Sequence, residues 1–307
     1  MCDGRTTAWD CLECRFGNSA ASKVINLIPN KRISRNLSLT ITKVPMISIV
    51  RGFRGMAIDT EDRKFFLSNI LRRVDYIIAP SRALRDAFIE SGITSPINVI
   101  HSGHDLSWLS YSSTYKKQSA KIRFGFIGQI IPIKGLHILL SAFESVRSDK
   151  AQLVVYGDES KDPEYMLKLR DMLKNYPSIN VDFFGAFPYE RLGEVLSEID
   201  VLVVPSQWRE NNPRVIQEAF ASKTPVIASD VGGISEFVQQ DINGLLFERD
   251  NIDELALASH IQKIIDEPKL LVKFEAGIPK VKTIEESLLE IEGIYHKLIA
   301  KNIKDPA

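Results

Sequence analysis

From Ile122 onward, short apolar runs alternate with stretches whose apolar residues recur at helical spacing. Runs at 122–128 (IRFGFIG), 151–157 (AQLVVYG), 179–185 (INVDFFG), 200–206 (DVLVVPS), 225–229 (PVIAS) and 244–247 (GLLF) predict strands. Between them, helices are predicted at 136–146, 163–176, 189–199, 213–222 and 232–240, with a long one from Asn251. Strands rich in Val, Ile and Phe on both faces need cover on both sides. The pattern therefore predicts an α/β fold built on a mainly parallel sheet.

The first hundred residues are less regular. Residues 74–80, 81–92 and 97–103 read as one β-α-β unit, with an amphipathic helix around Arg63–Arg73 and a strand at 45–53 (PMISIVRGF) upstream. A doubly wound domain opens on a strand and a glycine-rich turn, and the sequence near Met1 has neither. The polar, serine-rich stretch 106–121 suits an interdomain linker. The expected domains are thus 1–105, incomplete at its start, and 122–280, with a helix in 281–307 (TIEESLLEIEGIYHKLIAK) returning to the first.

Composition narrows the class. At 307 residues the chain has room for two cores, and 44% hydrophobic with 25% charged residues is the balance of a globular protein. No apolar run approaches the ~20 residues that span a bilayer. The opening MCDGRTTAWDC lacks the apolar core of a secretory signal. Three cysteines make no disulfide framework, so a cytoplasmic location is expected. Net charge is zero, yet residues 1–105 carry 15 Lys/Arg against 10 Asp/Glu. The excess gathers at 30–36 (NKRISRN), Arg51, Arg54, Arg72 and Arg73. Such a face suits either plain solvation or peripheral contact with anionic lipid or a phosphorylated ligand. Nothing points to nucleic acid.

The candidate chemistry centres on WRENNPRVIQE, Trp208 to Glu218. Asn212 is a good N-cap and Pro213 suits the first helical position. Glu218 then lies within the helix and Glu210 in the loop before it, so the two acids flank the helix N-terminus. The open N–H groups and dipole of that terminus favour a phosphate or diphosphate. An acid on either side could take hydroxyls, which describes a nucleotide-sugar site; two solvated helix acids are the plainer reading. Two further glycine-bearing turns follow strands: GQIIPIKG (128–135), with Lys134 as a point charge, and SDVGGISE (229–236). Three such turns on one sheet would meet in a single crevice.

These segments resemble the retaining glycosyltransferases of family 4, which have the GT-B fold of two Rossmann-like domains. The likeness covers residues ~75–300 and is closest over 122–250. It rests on FGFIGQIIPIKGLHILLSAF (124–143), YGD (156–158), FFGAFP (183–188) and the run DVLVVPSQWRENNPRVIQEAFASKTPVIASDVGGISEFVQQDINGLLF (200–247). The resemblance implies transfer of a hexose from a nucleotide diphosphate sugar to a hydroxyl acceptor, with retention and without a metal or bound cofactor. It casts Glu210 and Glu218 as the family's paired glutamates, the first on the donor sugar and the second on the ribose. Lys134 falls on the basic residue at the diphosphate, and Gly128 on the glycine whose backbone lies against it. Asn211, Asn212, Pro213, Arg214 and Val215 fall on the loop and helix start around the phosphates and sugar. Gln129 departs from the pattern, standing where the family usually has an arginine, and an amide makes a weaker bond than a charged donor. The other departure is at the N-terminus, where relatives carry upstream strands and a glycine-rich loop; the expectation is a chain that starts partway through its first domain.

Other features carry less. Cys2, Cys11 and Cys14 lack the four ligands of a closed zinc site. His101 and His104 end the β-α-β unit and could touch ligand or serve structure; His137, His260 and His296 read as structural. The absence of G-x-G-x-x-G and of G-x-S-x-G argues against a dehydrogenase and an α/β-hydrolase. A nucleotide-sugar epimerase on the same fold, or a non-catalytic donor-binding subunit, are the alternatives.

Overall fold

A computed structural model describes residues 65–111, 116–146, 149–248 and 254–304. The three cysteines, the strand expected at 45–53 and the start of the helix around Arg63–Arg73 lie outside these residues. Among the described residues, one compact unit holds 65–78 and 85–98 and a second holds 79–84 and 99–304.

Residues 65–71 are helical, and the β-α-β unit follows: β1 (Ile77–Ala79), α1 (Arg82–Glu90) and β2 (Ile97–Val99). The strands are shorter than predicted and pair as a two-stranded sheet. Ser81 caps α1, its Oγ accepting from Leu84 N at 3.2 Å.

The second unit is a six-stranded parallel sheet. Its strands are β3 (Ile122–Ile127), β4 (Ala151–Tyr156), β5 (Val181–Gly185), β6 (Val201–Val204), β7 (Val226–Ser229) and β8 (Gly244–Phe247). They run in the order β5-β4-β3-β6-β7-β8, so the winding reverses between β3 and β6. That reversal opens a crevice at the strand C-termini, the natural place for a ligand in this topology. The registers run from Ile122 beside Ala151 to Ile127 beside Tyr156, and from Leu202 beside Val226 to Val204 beside Ala228. Burial explains the patterns: β6 and β7 are buried throughout, whereas edge strand β5 is half-buried at alternate positions.

Helices cover both faces. α2 (Leu136–Val146) and α6 (Glu254–Asp266) pack with Phe124, Leu153 and Ile227. α4 (Leu192–Ser197) and α5 (Arg214–Ala221) pack with Val154, Leu202 and Ala228 on the other side. α3 (Pro163–Asn175) is capped by Asp162, whose carboxylate accepts from Tyr165 N at 3.0 Å. α8 (Ile284–Lys304) opens with a reciprocal capping box: Thr283 N donates to Glu286 and Glu286 N to Thr283 Oγ1.

Three helix expectations, at 189–199, at 232–240 and from Asn251, need correction. Residues 189–199 form a 3-10 turn (Tyr189–Arg191) before α4 rather than one helix. The helix expected at 232–240 shrinks to a 3-10 turn at Ile234–Glu236, because Gly232 turns left-handed just before it. The long C-terminal helix is two, since Pro268 separates α6 from α7 (Lys269–Gly277). The segment 106–121 is anchored at both ends. Trp108 is buried in the core beside Leu192 and Ile216. Lys116 Nζ donates to the Leu196 and Ile199 carbonyls at 2.7 and 2.6 Å and to Thr224 Oγ1. Burial pushes the Lys116 ammonium down to about 8.

Candidate functional site

The chain leaves β3 at Ile127, turns through Gly128 and Gln129, and forms a 3-10 turn at Pro132–Lys134 closed by Gly135. Gly135 is left-handed, with φ 76°, and a Cβ there would stand 1.9 Å from the Pro205 carbonyl oxygen. Only glycine lets the loop after β3 lie against the loop after β6. Gln207 N completes that contact by donating to Ile133 O at 2.8 Å.

The loop after β6 carries Glu210. Its Oε1 accepts from Lys134 Nζ at 2.5 Å and from the buried Ser206 Oγ at 3.0 Å. The Ser206 carbonyl in turn accepts from Ser229 Oγ at 2.6 Å, tying the loop to the end of β7. The Glu210 backbone is gripped by the third loop: Gly233 N donates to Glu210 O at 2.6 Å. Gly232, at φ 58°, passes so close that a Cβ would sit 2.5 Å from the same oxygen. The loop after β6 is therefore in contact with both glycine-bearing turns, at the C-terminal ends of β3, β6 and β7.

Helix α5 starts one residue later than the capping pattern predicts. Pro213 is not its first helical residue but its non-helical boundary, with ψ 97°, and the Asn212 side chain does not cap it. Asn212 Oδ1 instead accepts from the buried Gln217 Nε2 at 2.7 Å, which holds the loop onto the helix. Glu218 lies one turn after Arg214 and is 8% exposed. Burial pushes its carboxyl up, and Arg214, 3.6 Å away, with Tyr189 pulls part of the way back. The Arg214 guanidinium also lies 5.8 Å above the Tyr189 ring.

Glu210 and Glu218 thus line one pocket of 630 Å³. Gly128, Gln129, Lys134, Asn212, Pro213, Arg214 and Val215 line it with them. Asn211 does not: its side chain is exposed, and its carbonyl backs onto Gly233. The sequence reading passed over Ser206, Phe187, Tyr189 and Leu192, which also line the pocket. Ser206 could have been found from its place directly after a strand and four residues before Glu210. Tyr189 reaches the site from the turn after β5, where it meets Arg214.

The pocket's chemistry is divided. Its side-chain cations are Lys134 and Arg214, set against the acids Glu210 and Glu218, and the start of α5 adds N–H groups with no partner inside the helix. Apolar Ile127, Phe187 and Leu192 complete the wall. Such groups can hold an anion, hydroxyls and a flat or apolar part of a ligand. His101 does not line it; His101 Nδ1 is 3.1 Å from Pro80 O and the ring meets Phe237 edge-on. His104 is 4% exposed, and burial first, then Arg214, pushes it down. Among the described residues no group of three His, Cys, Asp or Glu side chains is placed to hold a metal. Nor is any helix there long and apolar enough to cross a membrane.

The model for the glycosyl transferases group 1 family matches residues 111–281, more than half of the chain and the whole of this site. The putative glycosyltransferase YtcC of Bacillus subtilis is 27% identical over 263 residues, 76% of this chain and 63% of that protein. Sucrose-phosphate synthase of Thermosynechococcus elongatus superposes with a TM-score of 0.65 at 26% identity, covering 78% of this chain and 62% of the other. HepE of Anabaena, solved with UDP and glucose, gives a TM-score of 0.66 at 22% identity, over 77% and 67% of the two chains. The fold is that of the GT-B glycosyltransferases. The chain spans less than two thirds of the length of YtcC.

Proposed function

Because the chain belongs to the glycosyl transferases group 1 family, we propose that it moves a hexose from a nucleoside diphosphate sugar to a hydroxyl acceptor, with retention of anomeric configuration. The observation that carries this reading is the pocket itself: Lys134, Arg214, Glu210, Glu218 and the start of α5 line one space of 630 Å³. The presence of UDP and glucose in the HepE structure supports a nucleoside diphosphate sugar as the donor class. Retention, the hexose and family 4 rest on the likeness of residues 200–247.

The roles follow from placement. Lys134 Nζ is held by Glu210 and is the group that takes up charge as the diphosphate departs. The N–H groups of α5 share that task. Glu218, desolvated and adjacent to the apolar wall, accepts from the ribose hydroxyls. Glu210 orients the sugar and faces the positive charge that develops at its anomeric carbon. The acceptor is assigned to the first domain, and peripheral contact with anionic lipid to its basic face.

Calorimetric titration with UDP, GDP and ADP tests the donor site, on the parent chain and on Lys134→Ala and Glu218→Ala. Binding of one diphosphate that both substitutions weaken is the expected result. Binding of none of the three by the parent would overturn the reading.

A further inference from the structure

Lys134 and Glu210 come from loops 76 residues apart, and something must hold those loops in register. Gln207 sits three residues before Glu210 and is tied to the other loop twice. Its backbone N–H donates to Ile133 O at 2.8 Å. Its side-chain Nε2 lies 3.1 Å from His137 Nε2. The two anchor points, 133 and 137, bracket Lys134 in the sequence. His137 is itself held from the far side. Its Nδ1 lies 2.7 Å from Tyr165 Oη, its backbone N–H donates to the same oxygen at 3.0 Å, and the rings meet edge to face at 5.7 Å. Tyr165 is buried on α3, whose start is fixed by Asp162.

The hydrogen-bond roles are mutually consistent. With the Gln207 amide nitrogen as donor, His137 Nε2 accepts and its proton resides on Nδ1, where Tyr165 Oη receives it. Burial favours that neutral ring by pushing the imidazole down.

From these contacts we infer that His137 is a positioning residue for the donor site, one member of a Tyr165–His137–Gln207 relay that sets the distance and angle between Lys134 and Glu210. The inference rests on the proposed donor site and deepens it. His137 touches neither ligand nor reacting atoms; it acts through Gln207 on the loop that carries Glu210. The relay explains why a histidine, with two opposed nitrogens in one plane, occupies the first turn of α2. A leucine would fill the space and join nothing.

The test is a double-mutant cycle read by nucleotide affinity and by melting temperature. His137→Phe keeps the ring volume and removes both nitrogens; Gln207→Ala removes the other half of the contact and, lying in a loop, serves if His137→Phe does not fold. Each is measured with the diphosphate that the parent binds among UDP, GDP and ADP, alone and combined with Lys134→Ala. The expected result is about a tenfold loss of affinity for either single variant, and little further loss when Lys134→Ala is already present. His137→Gln, which restores a polar partner, should recover part of it. Lowered melting temperature with unchanged affinity, or losses that simply add to that of Lys134→Ala, would overturn the relay and leave the donor site standing. Failure of the parent to bind any of the three diphosphates would overturn the donor site first and this inference with it.

Discussion

Lys134 Nζ stands 2.5 Å from Glu210 Oε1, so the cation expected to meet the diphosphate is already paired with the acid expected to meet the sugar. Both side chains are partly exposed, at 32% and 17%, so the pair adds at most about 1 kcal/mol to stability. Its importance lies in what it exchanges. On the proposed roles, a diphosphate entering the pocket would compete with Glu210 for Lys134, and binding would release the carboxylate toward the sugar.

The two partners should therefore fail differently. Lys134→Ala should weaken a nucleoside diphosphate by about tenfold or more, since a charge-assisted contact is lost. Glu210→Gln should bind it as tightly as the parent or tighter, and lose transfer by about 10²–10³-fold. Neither should move the melting temperature by more than about 2 °C. Titration and a transfer assay on the same preparations check both.

Glu218 should behave as a residue kept for ligand at the expense of stability. Its carboxyl is pushed up from 4.5 by burial, so the folded chain holds this proton more readily than the unfolded one. The corresponding stability is present at low pH and is lost as pH rises through the folded-state value. Glu218→Gln should raise the melting temperature of the ligand-free protein at pH 7 and weaken nucleoside diphosphate binding. The gain should vanish toward pH 4.5. Scanning calorimetry between pH 4 and 8, with about 2–4 °C expected per kcal/mol of relief, reads this out.

Two histidines, buried His104 and half-buried His137, should make stability fall in acid. Burial is the main cause pushing His104 and His137 down from 6.5. Each takes a proton more readily in the unfolded chain, so stability is full above about pH 6.5 and falls as pH drops below it. His104 Nε2 is buried without a hydrogen-bond partner among the described residues. His104→Leu should flatten part of the decline between pH 6.5 and 5, measured as melting temperature against pH.

Far from the pocket, Arg123 and Asp200 form a two-pronged pair at 2.8 and 3.0 Å that fastens the start of β3 to the start of β6. Asp200→Asn leaves a guanidinium that is 7% exposed without its counter-charge. It should lower stability by about 3 kcal/mol, leaving nucleotide affinity per folded molecule unchanged. Denaturant melts paired with titration separate the two effects.

The sheet was legible in the sequence because its signals are local. Continuous apolar runs mark β6 to β8, and α2 spans the residues its periodicity predicts, 136–146. Misreadings came where side-chain and tertiary contacts overrule local preference. Asn212 and Pro213 look like a cap and a first turn, yet the Asn212 side chain is drawn off by Gln217. The GGISEF stretch looks helical, yet Gly232 and Gly233 must lie flat against Asn211 and Glu210. Glu236, which no motif singles out, takes the N–H groups of Arg82 and Ala83 at the head of α1, 154 and 153 residues away. No period or motif announces such a contact. Lys134 and Glu218, which line the pocket, stand out from residue type and turn; Tyr189 and the contacts of His137 depend on packing that only the folded chain displays.

The distance along the chain between Lys134 and Glu210 has a consequence for how the protein folds. A site closed by residues 76 positions apart, with a third loop gripping Glu210 from residue 233, has no local precursor. It is completed only after β3, β6 and β7 have found one another, among the slower events in folding because long loops must close first. Affinity for a nucleoside diphosphate would then report on the joining of β3, β6 and β7 rather than on one segment. By linkage the same ligand, at about a hundred times its Kd, would hold that sheet together by about 2.7 kcal/mol. On the proposed function, a donor sugar would thus act as a late folding partner, and its removal would lower the stability of the assembled sheet.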